Sequence, residues 1–251
     1  MILISQIIFY VLFQVQVNKL EAQQPRIEIP VLCYHQVRNW QATDSKSART
    51  YILPPEKFAV QMKLLADSGY HAITPDELLG YLHTKSPLPP KPVILSFDDG
   101  TASQFMNAVP VLNQYHFNAV FFIMTVSLNK SIYMSTQQVK TLSNDGFIIG
   151  CHTWDHHNVT DYANNDWAIQ LEKPKQLLEK ITGRPVEYFA YPNGIWNEAS
   201  ITQLKAYNYK AAFQLADKQS VVNPDYTIRR IIVDGNWNAQ QLLYAMKHSF
   251  K

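Results

Sequence analysis

Short apolar runs rich in β-branched and aromatic residues return along this chain at intervals that leave room for one amphipathic helix between most neighbours. The runs are residues 29–34, 93–97, 119–124, 147–151, 188–191, 210–214 and 228–233. Between them, residues 55–67, 103–115, 135–144, 166–181, 197–207 and 238–248 carry apolar side chains at helical spacing. Start signals accompany several of these, as in Thr74-Pro75-Asp76-Glu77, where an N-cap Thr and a first-turn Pro precede acidic residues. Strands separated by helices pair in parallel, and a nearly continuous apolar run such as Val93-Ile94-Leu95 suits a strand covered on both faces. The expected architecture is α/β, a closed or nearly closed β/α barrel with seven strands in a single domain. With 251 residues, 47% of them hydrophobic, the chain can bury one sizeable core.

The first 17 residues are apolar apart from Ser5, Gln6, Gln14 and Gln16, and a polar stretch follows to Gln24. Residues 1–24 therefore read as a signal peptide or an N-terminal anchor, with the folded domain at 25–251 placed outside the cytoplasm: secreted, periplasmic or at the cell surface. A leader without Lys or Arg, ending in Leu20-Glu21-Ala22, keeps membrane association through the N-terminus open. The 22 basic and 20 acidic residues form no long run of either sign, which excludes a dedicated nucleic-acid surface. A monomer is expected. Cys33 and Cys151 make neither a disulfide framework nor a CxxC site and read as buried thiols.

In a barrel of this kind, chemistry belongs at the C-terminal ends of the strands. One run ends in Ser96-Phe97-Asp98-Asp99-Gly100. Adjacent carboxylates repel and call for a cation or a shared proton, although Asp-Asp-Gly is equally good turn chemistry. Another run ends in His152-Thr153-Trp154-Asp155-His156. If that segment turns helically, its two imidazoles share a face and can ligate one ion, with the neighbouring His157 as an alternative ligand or a support. One Asp and two His leave coordination positions free, as a hydrolytic metal requires, and release the second Asp to act as a base. A third run ends in Tyr191-Pro192-Asn193-Gly194, a tight turn that beside a metal could offer a backbone N–H to an oxyanion.

Together these segments resemble the polysaccharide deacetylases of carbohydrate esterase family four, which share the NodB homology domain and include enzymes acting on chitin, peptidoglycan and biofilm polysaccharides. Ser96-Phe97-Asp98-Asp99-Gly100 matches that family's first motif and His152-Thr153-Trp154-Asp155-His156 its second, and the likeness runs from about Ile29 to Val233. It implies a distorted (β/α)7 barrel, with 25–251 as the catalytic domain. It also implies one divalent metal ion, Zn²⁺ before Co²⁺ or Ni²⁺. By position, Asp98 is the implied general base, Asp99, His152 and His156 the metal ligands, and Asn193 the backbone oxyanion donor. The family's third motif usually has an Arg where this chain has Ala190. We therefore expect Arg230, at the end of a late strand, to orient Asp98 in its place.

The forms Phe189-Ala190-Tyr191-Pro192, Pro30-Val31-Leu32-Cys33-Tyr34-His35 and Arg230-Ile231-Ile232-Val233 are similar to the subgroup that deacetylates poly-β-1,6-N-acetylglucosamine. The implied reaction is removal of N-acetyl groups from that polymer, with peptidoglycan, chitin oligomers or O-acetyl xylan as alternatives. A non-catalytic glycan-binding barrel is the reading from another class. His248, in a loose match to the family's late His motif, or His35 is the expected general acid. Tyr191, Pro192, Trp154, Trp196 and Trp237 are the expected sugar-binding residues.

Overall fold

A computed structural model describes residues 28–250; the leader or anchor expected at 1–24 lies outside them. Among the described residues no helix is long and apolar enough to cross a membrane. The first strand, β1 (Val31–Tyr34), is buried throughout. Two short strands follow, β2 (Gln36–Val37) and β3 (Ile52–Leu53), parallel to each other, with a one-turn helix α1 (Lys46–Thr50) between them. Helix α2 (Pro55–Asp67), edge strand β4 (His71–Ala72) and helix α3 (Pro75–Thr84) lead to β5 (Pro92–Phe97). From there β6 (Val120–Ile123), β7 (Ile148–Cys151), β8 (Tyr188–Ala190), β9 (Ala211–Phe213) and β10 (Ile231–Ile232) continue the sheet. All pairings are parallel, in the order β10-β1-β5-β6-β7-β8-β9 with β4 beside β5.

The sheet curls until its ends meet. Ile228 N–H donates to the Ala212 carbonyl and Arg230 N–H to that of Leu215, while Val233 N–H donates to Cys33. The stretch expected as one strand over 228–233 therefore pairs first with β9 and then with β1. Because its two halves serve different neighbours, only Ile231–Ile232 remains as regular strand.

Period-two alternation divides the side chains between two cores. Val31, Ile94, Val120, Phe122, Tyr188, Ala190, Ala211 and Phe213 fill the barrel. Leu32, Tyr34, Leu95, Phe97 and Phe121 face outward into the helices. Gly150 is required inside: a Cβ there would sit 2.4 Å from Cδ1 of Phe122. On the outside, α2 presents Phe58, Met62 and Leu65, an i, i+4, i+7 stripe that is fully buried. Each such side chain contributes roughly 1.5–3 kcal/mol of burial free energy. Helix α3 begins with the expected cap, in which the Thr74 side chain and Glu77 satisfy each other's backbone N–H groups.

The remaining helices are α4 (Val109–Gln114), α5 (Thr136–Asn144), α6 (Lys173–Thr182), α7 (Glu198–Ala206) and α8 (Ala239–His248). Two segments expected as plain helices, 103–115 and 166–181, open instead with π turns at Gln104–Ala108 and Ala168–Glu172. Pro110 and Pro174 explain both. A proline lacks an N–H and its ring collides with the carbonyl four residues back, and a wider turn relieves that clash.

Candidate active site

Strand β5 places Ile94, Ser96 and Asp98 on one side, so Asp98 caps the barrel interior at the sheet's C-terminal edge. Its carboxylate is 3% exposed. Arg230, 1% exposed, reaches it from the closing strand: Nη1 donates to Oδ1 at 2.6 Å and Nη2 to Oδ2 at 2.8 Å. Arg230 is held in turn by its Nε–H on the Gln214 carbonyl at 3.0 Å and by the face of Phe122 beneath it at 5.4 Å. Burial alone would raise the Asp98 carboxyl. The adjacent Arg230 cation, through its charge and its paired hydrogen bonds, more than offsets this and holds the carboxyl well below the usual carboxylate range. The Cys33 thiol, two positions along β1 from Val31, also faces Asp98, with Sγ 3.5 Å from Oδ2. Burial pushes that thiol well up, so it stays protonated and can only donate.

The chain turns sharply after Asp98. Asp99 and Gly100 both adopt left-handed backbone, φ 74° and 72°. The turn sends the Asp99 carboxylate away from Asp98 toward His152 and His156, whose Nε2 atoms each lie 3.7 Å from Asp99 Oδ1. The two His are brought together differently from the sequence expectation. Residues 152–157 form no helix; positive φ at Thr153 (65°) and His156 (71°) folds them as a loop off β7, with ring centroids 4.8 Å apart. His156 N–H donates to the Thr153 hydroxyl at 2.9 Å, which pins that loop.

These donors fit a metal. The ligand atoms of Asp99, His152 and His156 all lie within 4.8 Å of one another. A tetrahedral zinc ion, with bonds of about 2.0–2.2 Å, separates its ligand atoms by roughly 3.3–3.6 Å, so little movement is needed. His152 is prepared for the task. Burial, against the pull of the Asp98 and Asp99 carboxylates, lowers its imidazolium and so favours the neutral ring. Its Nδ1–H donates to the Ala190 carbonyl at 2.7 Å, which leaves the Nε2 lone pair facing Asp99. The main chain of Ala190, at the position where the resemblance implied an Arg, thus orients His152.

A cleft of about 610 Å³ gathers Asp98, Asp99, His152, His156, Tyr191, Asn193, Arg230 and His35. Asn193 stands at φ 56° in the Pro192–Gly194 turn. Tyr191 borders the cleft but is fully buried, its ring packed in the outer core against Phe189 and its hydroxyl donating to the Tyr226 carbonyl at 3.0 Å; Pro192 is also buried. Several expected residues lie elsewhere. His157 turns to Asp155 at 2.8 Å and is 73% exposed, so it is no alternative ligand. His248 lies exposed at the end of α8 against Tyr244, outside the cleft lining, because its helix packs on the barrel wall. Trp154 is 42% exposed but outside the lining, and Trp196 and Trp237 pack against the outer core. The aromatic lining besides Tyr191 is Tyr51 and Tyr133, neither of which had a periodicity signal. Cys33 was legible in principle: Val31, Cys33 and His35 alternate along β1 and share one side.

The chain is similar to known proteins over most of its length. The family model described as polysaccharide deacetylase matches residues 85–212. YxkH of Bacillus subtilis, named as a polysaccharide deacetylase, is 26% identical over 183 residues, 73% of this chain and 63% of that one. The chain thus spans less than two thirds of that relative. A Staphylococcus aureus poly-β-1,6-N-acetyl-D-glucosamine N-deacetylase is 27% identical over 227 residues, covering 80% of this chain and 77% of the relative. In three dimensions the deacetylase PplD of Streptococcus pyogenes, solved with acetate, superposes with a TM-score of 0.81 over 87% of this chain and 98% of that one at 24% identity, and shares its fold. With the family model covering half of the sequence and a parallel β/α barrel of the same shape beneath it, this chain belongs to the polysaccharide deacetylase family of hydrolases.

Proposed function

We propose that this protein removes N-acetyl groups from N-acetylglucosamine units of an extracellular polysaccharide, poly-β-1,6-N-acetylglucosamine before others, and releases acetate. One observation carries the reading: a buried carboxylate kept ionised by a bidentate Arg, next to an Asp-His-His set spaced for one cation. A ligand-binding barrel has no use for the first of these. The substrate follows from the 27% identical staphylococcal relative, whose name specifies the β-1,6 polymer.

Asp99, His152 and His156 would hold the divalent ion, Zn²⁺ by preference, which when bound polarises the acetamide carbonyl and makes water more acidic. Asp98 takes a proton from the attacking water, and the water oxygen bonds to the carbonyl carbon. Arg230 keeps the base ionised and fixes its plane. The negative charge that develops on the carbonyl oxygen is met by the backbone N–H of Asn193. The C–N bond then breaks as the nitrogen receives a proton. His35 is our choice of donor, because its ring nitrogen lies within 4.8 Å of an Asp98 oxygen in the cleft wall. Tyr51 and Tyr133 offer faces to the sugar rings.

Action on such a polymer would take place outside the cytoplasm, which is also where the leader or anchor expected at 1–24 would put the domain. The test is acetate release from β-1,6 and β-1,4 N-acetylglucosamine oligomers and from O-acetyl xylan, after loading with Zn²⁺, Co²⁺ or Ni²⁺. Fastest release from β-1,6 oligomers is expected. Faster release from β-1,4 oligomers or xylan would reassign the substrate, and none from any would refute the reading.

A further inference from the structure

Gln104 belongs to none of the recognised motifs, yet its side chain is wholly buried directly behind the active site. It opens the π turn Gln104–Ala108. Its amide nitrogen donates to two main-chain carbonyls, that of His35 at 2.8 Å and that of Asp98 at 2.5 Å. Both partners are acceptors, so only the nitrogen can face them, and its two hydrogens serve one carbonyl each. A single side chain thereby ties the end of β1 to the end of β5.

The tie acts on strained backbone. The Asp98 carbonyl belongs to the peptide plane that leads into Asp99, so holding that oxygen fixes the left-handed φ of 74° at Asp99. A non-glycine residue persists there only when its surroundings hold it. The turn continues through Gly100, also left-handed, where a Cβ would meet Ile123 Cδ1 at 3.0 Å. The tie also carries a cost unrelated to fold. The other amide atom of Gln104, Oε1, is buried with no hydrogen-bond partner among the described residues. The glutamine is kept despite that cost, and both hydrogens of its amide go to the two carbonyls at the ends of β1 and β5.

We propose that Gln104 is a positioning residue of the active site. By holding the His35 and Asp98 carbonyls it fixes the turn that directs the Asp98 carboxylate to Arg230 and the Asp99 carboxylate to His152 and His156. This rests on the deacetylase reading, and its consequence for cation binding can be measured apart from turnover. The experiment compares wild type, Gln104→Leu and Gln104→Met by Zn²⁺ titration calorimetry on metal-free protein, by thermal unfolding, and by kcat and KM for acetate release. Expected are Zn²⁺ Kd values raised roughly 10- to 100-fold, the usual penalty for losing support behind a ligand, with kcat reduced, KM little changed and Tm within a few degrees of wild type. Leu204→Ala, which opens a cavity in the outer core under α7, a helix that carries none of the site residues, serves as the control for general loosening. Wild-type Kd and kcat in the Gln104 variants would overturn the proposal. So would losses no larger than those of a Leu204→Ala protein with the same fall in Tm. If wild type releases no acetate, the deacetylase reading fails, and the Zn²⁺ titrations still decide the role of Gln104.

Discussion

Replacing Arg230 with Gln removes the cation that keeps Asp98 ionised while retaining some hydrogen-bonding capacity. The two charged groups meet through bonds of 2.6 and 2.8 Å, and both are almost completely buried. With charge centres about 4 Å apart and an effective dielectric of about 20, the attraction is roughly 4 kcal/mol. At 1.36 kcal/mol per pKa unit, its loss raises the Asp98 carboxyl by about 3 units. In the wild type this group is held below its unfolded value. Its stabilising contribution is therefore fully present above the unfolded pKa of about 3.9 and is lost as pH falls through the depressed folded value. In the variant the rise of about 3 units returns the carboxyl to about its unfolded value, so the stabilising contribution that the pair makes above that pH disappears. The acid limb of kcat/KM, measured at saturating metal, should move upward by about 2–3 units. Urea unfolding at neutral pH should show a loss of about 3–5 kcal/mol, the usual penalty for leaving a buried charge unpaired. Arg230→Lys, which keeps the charge and loses the fork, should fall between the two. An Arg230→Gln protein with an unmoved acid limb would refute the idea that this pair sets the ionisation of Asp98.

Other outcomes follow from the same geometry. Asp99→Ala or His156→Ala removes one of three ligands and should weaken Zn²⁺ binding by at least 100-fold in a calorimetric titration, with the barrel still folded by circular dichroism. His35→Ala should lower kcat by roughly 10²- to 10⁴-fold as loss of a proton donor, whereas His248→Ala, exposed beyond the cleft lining, should leave kcat and KM unchanged. Gly150→Ala places a methyl 2.4 Å from Phe122 and should cost about 1–3 kcal/mol of unfolding free energy, read by urea titration.

Much of the fold could be read from the sequence because parallel strands covered on both faces write themselves as unbroken apolar runs. All seven expected runs contain strands of the curled sheet, and the helices between them fall where the apolar periodicity places them. What the pattern missed has local causes. The closing stretch over 228–233 is shared between β9 and β1, and no periodicity records a change of partner. The π turns before Pro110 and Pro174 arise from a steric clash that leaves the spacing intact. The i, i+4 spacing of His152 and His156 suggested a helix, yet a loop with two left-handed residues also brings their rings together. Large aromatics were a poor guide to the sugar site: Trp196 and Trp237 pack on the core, while Tyr51 and Tyr133, in irregular segments, line the cleft. Gln104 gives no signal in sequence, because its partners are main-chain carbonyls brought together only by the barrel.

The proposed mechanism makes Asp98 the base beside a separate three-residue cation site. Acetate release by Asp98→Asn on β-1,6 N-acetylglucosamine oligomers, at Zn²⁺ concentrations shown by calorimetry to saturate both proteins, tests it most directly. Expected is a kcat lowered by roughly 10²- to 10⁴-fold with Zn²⁺ binding retained, because Asp98 is not a ligand in this arrangement. Turnover at the wild-type rate in the saturated variant would contradict it.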